Sequence, residues 1–254
     1  MGSIVGFATL IHQEFFRFWR LIRQTIFPPI ITTFLFILIF GYSLGSQIHN
    51  LKGFSYIVYI IPGLVAMGVM NNAFSNSSSS LYMAKFDQSI DNLLVAPLRP
   101  IELVLSLVIG SVSRGLLVGV ITMVIALGML HQPIYSIWIT LAFTILQSII
   151  FGCWGIIGAL RAKTWDTLAT TQTFIIQPLV YLGGVFYTVQ LLPPFWRKFS
   201  LFNPIFYMVD GIRYGVLGIH DASPQLSMGL TALLAATLLG VCVWLFQIGY
   251  RLVR

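Results

Sequence analysis

Long apolar runs separated by short polar stretches dominate the chain, and their lengths set the first expectation. A helix needs about 20 residues to cross a hydrocarbon core of about 30 Å. Six runs are long enough: about Ile26–Leu44, about Phe54 into the polar stretch Asn71–Ser80, Ile101–Leu130, about Tyr135–Leu160, about Leu168–Tyr187 and about Leu226–Phe246. The pattern therefore predicts an all-α polytopic membrane protein with six transmembrane helices over residues 25–254. Pro28 and Pro29 stand near the start of the first run, where a helix loses least by lacking backbone donors. The third run is too long for a straight crossing at ~1.5 Å per residue, so part of it must tilt or protrude.

Residues 1–24 follow another period. Ile4, Phe7, Ile11, Phe15, Phe18 and Ile22 recur every three or four positions opposite Gln13, Arg17, Arg20 and Gln24. That arrangement predicts an amphipathic helix lying in the membrane interface. The stretch lacks a basic start, an apolar core and a small-residue cleavage site, so it is expected to stay on the protein.

Two segments break the apolar pattern. Residues 85–100, KFDQSIDNLLVAPLRP, form a polar island between two spans. Ile90, Leu93 and Leu94 recur at i, i+3 and i+4, which predicts a short helix with one apolar face, capped by Asp87 or Ser89 and ended by Pro97. Such a helix can dock on a partner. Residues 191–218 are apolar enough to suggest another crossing, yet Pro193, Pro194 and Pro204 interrupt them, and Trp196 and Tyr207 suit a headgroup boundary. They are expected to form a re-entrant helical hairpin on the outer side, before the last span.

Composition agrees with this reading: 57% of residues are hydrophobic, 8% are charged and the mean hydropathy is +0.91, far from the quarter or so charged residues of soluble domains. A net charge of +7 invites a nucleic-acid partner, but the cations are dispersed between spans rather than gathered on one face, so none is expected. Lys and Arg in short loops instead report orientation. With six spans, Arg17, Arg20, Arg23, Lys85, Arg99, Arg161, Lys163, Arg251 and Arg254 share one side, against Lys52, Arg197, Lys198 and Arg213 on the other. Both termini are then cytoplasmic.

Candidate chemistry is sparse. No lysine follows a glycine, which excludes a phosphate-cradling P-loop. His12, His49, His131 and His220 lie in separate segments without metal-ligand spacing, Cys153 and Cys242 lie far apart inside apolar runs, and the acidic residues are scattered. A proton-coupled secondary transporter should carry a relay of intramembrane carboxylates, and a membrane enzyme a polar catalytic cluster; the spans carry neither. The polar features inside the membrane are Asn71, Asn72, Ser75 and Asn76, which can line a passage or join helices, and Arg114, which has room beside Gly110, Ser111, Ser113 and Gly115 for a ligand or another backbone. Asp210 and Arg213 are spaced to pair across one helical turn.

The run Ile176–Arg213 resembles the signature of type-2 ABC exporter permeases. Ile176, Leu179, Leu182, Gly183 and Val185 fit its apolar and small positions, Leu192 and Pro193 follow, and Pro204, Ile205, Tyr207 and Arg213 complete it. DNLLVAPLRP resembles the coupling helix of that family, which implies that Asp87, Ile90, Asp91, Leu93, Leu94 and Pro97 meet a partner. The resemblance further implies a permease subunit in a bacterial inner membrane, paired with a second permease copy as a homodimer. It also implies separate ATP-binding subunits that carry ATP and Mg, leaving this chain without cofactor or catalytic residues. Expected cargo is amphipathic: lipid-linked, glycan or drug-like.

Overall fold

A computed structural model describes residues 2–20, 22–40, 51–130 and 132–252. The far end of the first apolar run, the loop up to residue 50, and His49, His131 and Arg254 lie outside these residues. Regular structure among the described residues is helical, apart from one bridge between Leu51 and Phe54.

The amphipathic stretch forms α1, Gly2–Arg20. The first apolar run forms α2, Ile22–Ile39, which starts earlier than its apolar residues suggest. Pro28 and Pro29 therefore lie inside α2 rather than in its first turn, and each removes one i→i−4 hydrogen bond. The second run forms α3, Tyr56–Phe86, the central helix of the bundle. Apolar residues surround its N-terminal half, and a helix of that kind is buried by its neighbours. It packs along α5, Pro100–Leu130, and α6, Ile137–Arg161. The approach to α6 depends on small residues: Gly155 faces the backbone of Phe74, and the Ser77 hydroxyl donates to the Gly152 carbonyl at 2.6 Å.

The polar island forms the end of α3, a left-handed residue at Gln88 (φ 57°) and the short helix α4, Ser89–Val95. Gln88, not Asp87 or Ser89, is the residue that precedes the helix. The Ser89 hydroxyl instead donates back to the Ala84 carbonyl at 3.3 Å, because the tight turn points it at the end of α3.

Beyond α6 the chain is helical from Trp165 to Leu182, but a π turn at Gln172–Ile176 divides this stretch into α7, Trp165–Thr171, and α8, Gln177–Leu182. Among the described residues five helices are consequently long and apolar enough to cross a membrane, where the sequence pattern counts six: α2, α3, α5, α6 and α11, Pro224–Gln247. Between α8 and α11 lie a 3₁₀ turn, α9, Pro194–Phe202, and α10, Pro204–Leu217. Asn203 caps α10 by accepting from the Ile205 amide at 3.0 Å. α10 is buried against α3, α6 and α11, whereas α2 and α11 expose most of their apolar side chains at the periphery.

Candidate functional site

At the α4 end of the bundle, Ile90 turns inward against a core containing Leu10, Leu81 and Leu103, and Leu93 packs partly on it. Ile90 thus holds α4 in place rather than presenting itself. Leu94 is 39% exposed and Val95 86% exposed, so the free apolar surface is shifted one residue along from the face expected. Asp87 and Asp91 flank it in solvent. Pro97 follows the helix end and is exposed. Between α1, α3, α4 and α5 lies a cavity of about 250 Å³ lined by Leu10, Glu14, Ser80, Asp87, Ile90 and Leu94, among others.

The polar half of α3 serves two neighbours. On one side α1 clasps it. Arg17 pairs with Glu14 at 2.9 Å, donates to the Asn76 carbonyl at 2.9 Å and side-chain oxygen at 3.1 Å, and donates to Ser79 at 3.1 Å. Ser80 in turn donates to Glu14. Sequence reasoning gave Arg17 only the task of reporting orientation and left Glu14 among the scattered acids. Their i,i+3 spacing was the available signal. On the other side, the Asn71 side-chain oxygen accepts from Gln172 at 3.2 Å and Gln177 at 3.0 Å, both at the π turn. Asn72 bonds its own helix at Gly68, 3.0 Å away, and with Asn71 lines a cavity of about 180 Å³ between α2 and α3. The candidate stripe is therefore divided: Asn71 and Asn72 face a cavity, Ser75 is half-buried, and Asn76 is fully enclosed under Arg17.

Arg114 is half-buried on α5, and its Nε has no hydrogen-bond partner. The neighbouring Gly110 faces Asn76 and Glu14, so α5 joins the clasp from its side. Arg17 Nε and Asn76 Nδ2 are likewise buried donors without partners. The junction of α1, α3 and α5 is thus rich in unused donors.

At the opposite end, the signature residues converge. Arg213, 1% exposed, donates to the Gly184 carbonyl at 2.6 Å and lies 4.3 Å over the Tyr59 ring. The expected pair forms, with Arg213 3.8 Å from Asp210. Asp210 accepts from the backbone amides of Asp221 and Ala222 at 2.8 and 2.9 Å, and Asp221 takes Lys52 and Thr188. Gly183 packs on Ile205 next to Pro204 at the start of α10, and the Tyr207 hydroxyl bonds the Leu201 carbonyl at 3.0 Å. Pro193 stands apart, at the entry to α9. Cys153 and Cys242, distant in sequence, meet: the Cys242 thiol lies 3.5 Å from the Cys153 carbonyl, and both thiols are free and buried.

The amino-acid sequence matches a known family. The model of the ABC-2 type transporter family fits residues 5–217, which spans α1 to α10. The chain belongs to the ABC-2 type transporter family. Among curated relatives of these transporters, the inner membrane transport permease YadH of Escherichia coli K12 is 40% identical over 246 residues, covering 96% of each chain. Nodulation protein J of Sinorhizobium fredii NGR234 is 24% identical over 178 residues, 70% of this chain and 68% of the relative. Nodulation protein J of Rhizobium leguminosarum bv. trifolii is 25% identical over 179 residues, with the same coverage. Membership makes this ABC-2 chain a membrane transport protein, in keeping with its long apolar helices.

Proposed function

We propose that this chain is the transmembrane permease subunit of an ATP-driven exporter in a bacterial inner membrane, with both termini on the cytoplasmic side. Two copies form the pathway, and separate ATP-binding subunits carry ATP and Mg. The observation that carries this reading is α4, whose surface turns Leu94 and Val95 outward beside Asp87 and Asp91 while Ile90 holds it to the bundle. A helix so mounted passes a push from a partner into α3, α1 and α5. On this reading α7–α8 make the sixth crossing through their π turn, and residues 191–218 enter and leave from the outer side. Asn71, Asn72, Ser75, Asn76 and Arg114 border the route of an amphipathic cargo: lipid-linked, glycan or drug-like. The unused donor at Arg114 suits an anionic portion of it.

Replacing Leu94 and Val95 together by Asp tests the reading. Burial of each side chain in a partner groove is worth up to ~1.5–3 kcal/mol. The double variant should insert normally, lose co-purification with its ATP-binding subunit by tenfold or more, and lose transport. Undiminished association and transport would overturn the assignment of α4.

A further inference from the structure

Three of the long apolar helices end on the side of α4: α3 at Phe86, α6 at Arg161 and α11 at Gln247. Between those ends lies a recess of about 410 Å³, lined by Tyr82, Lys85, Phe86, Arg161, Lys163 and Arg251 together with Leu160 and Ala162. The lining brings four cations together and no carboxylate. The nearest acids in sequence border separate cavities: Asp87 lines the one between α1, α3, α4 and α5, and Asp166 lines another with Thr164 and Thr167.

The cations differ in posture. Lys85 donates to the carbonyls of Ala159 and Leu160, each at 3.2 Å, which complements the negative end of α6 and fixes the ammonium at the mouth. Arg161, Lys163 and Arg251 are exposed, and Arg251 lies 5.4 Å over the Tyr250 ring. Beside them stands an aromatic wall. Tyr82 meets Trp165 edge-on with ring centres 5.5 Å apart and stacks on Phe86 at 6.3 Å, and Phe86 and Trp165 are largely exposed. Rings of this kind settle where acyl chains give way to headgroups. A recess with cations on its rim and bare rings on its wall fits a molecule with a charged head and an apolar body.

We propose that this recess holds the phosphate of an anionic phospholipid from the leaflet on the α4 side. Arg161, Lys163 and Arg251 meet the headgroup oxygens, while Tyr82, Phe86 and Trp165 lie against the glycerol and upper acyl carbons. The inference rests on the chain being a membrane protein and not on the direction or cargo of transport. Fork-shaped guanidinium groups on two sides of the space suit phosphate oxygens, and each cation at such a surface adds about fivefold in affinity.

The full chain, purified in detergent, is titrated with dioleoyl phosphatidylglycerol, dioleoyl phosphatidylcholine and inorganic phosphate, with bound species counted by native mass spectrometry. Phosphatidylglycerol should bind at least tenfold more tightly than phosphatidylcholine. The triple variant Arg161→Gln, Lys163→Gln, Arg251→Gln should lose about a hundredfold for the anionic lipid and little for the neutral one. Should the triple variant fail to fold, Arg251→Gln alone, expected to lose about fivefold, is compared with Arg251→Lys, expected to bind nearly as the parent does. Equal binding of the two lipids, or an unchanged triple variant, would overturn the proposal. So would inorganic phosphate binding as well as phosphatidylglycerol, which would make this a free-phosphate site. Loss of a co-purifying ATP-binding subunit with lipid binding unchanged would also overturn it, by making the recess a protein contact.

Discussion

Arg114 and Arg17 show how differently two guanidiniums fare one helix apart. The terminal nitrogens of Arg17 meet Glu14, Asn76 and Ser79, whereas Gly110, Ser111, Ser113 and Gly115 leave room beside Arg114; both keep a buried Nε without a partner. If Arg114 borders the cargo route, the two conservative replacements separate charge from geometry. Arg114→Lys keeps the positive charge and loses the planar fork, and Arg114→Gln keeps hydrogen-bonding capacity and loses the charge. Transport should fall about tenfold in the Lys variant and below detection in the Gln variant, with both assembling at parental yield. A well-assembled Arg114→Gln protein that exports normally would remove the residue from the pathway. The sequence makes Asp210–Arg213 legible because the partners are three positions apart. It hides the bond from Arg17 to Asn76, which closes 59 positions of chain, and the meeting of Cys153 with Cys242, 89 positions apart. Nothing in local spacing reports which helix faces come together.

Element by element, legibility follows apolarity. The runs that become α2, α3, α5, α6 and α11 are plain, since uninterrupted apolar length is what a bilayer demands. The stretch that becomes α7 and α8 is apolar too, but no residue pattern marks its π turn, which aligns Gln172 and Gln177 on Asn71. The boundary of α2 is lost for a related reason: Ile22, Arg23 and Gln24 continue the amphipathic period of the interface helix, yet they open α2. The turn that follows the signature residue Gly183 gains a physical account. Gly184 holds φ +79°, and a methyl group there would meet only ordinary contacts. Its requirement is thus the left-handed backbone, which an L side chain disfavours by about 1–2 kcal/mol. Gly184→Ala should lower the thermal unfolding temperature measured in detergent by several degrees and loosen the carbonyl that Arg213 holds. A variant as stable as the parent would show that the turn can relax.

For the molecule as a whole, the number of crossings decides where each end of the bundle lies. Single cysteines at Ser223 and at Arg251, in a background with Cys153 and Cys242 replaced by Ala, place the two exposed ends of α11 directly. An impermeant maleimide added to intact cells should label the first and spare the second. Equal labelling would defeat both the six-crossing topology and the re-entrant reading of residues 191–218. Whichever side faces the cytoplasm, α3 reaches from one end of the bundle to the other. At about 1.5 Å per residue its 31 residues measure roughly 46 Å, about half as long again as the hydrocarbon core. Its C-terminal tip stands one tight turn from α4, and near its N-terminal tip Tyr59 lies under the guanidinium of Arg213. Only Pro62 interrupts the backbone bonding between them. On the proposed role of α4, α3 acts as a lever with its joint at Pro62, near the end away from α4: a rocking of α4 swings the long arm, and Tyr59 and Arg213 feel it as a torque at the short one.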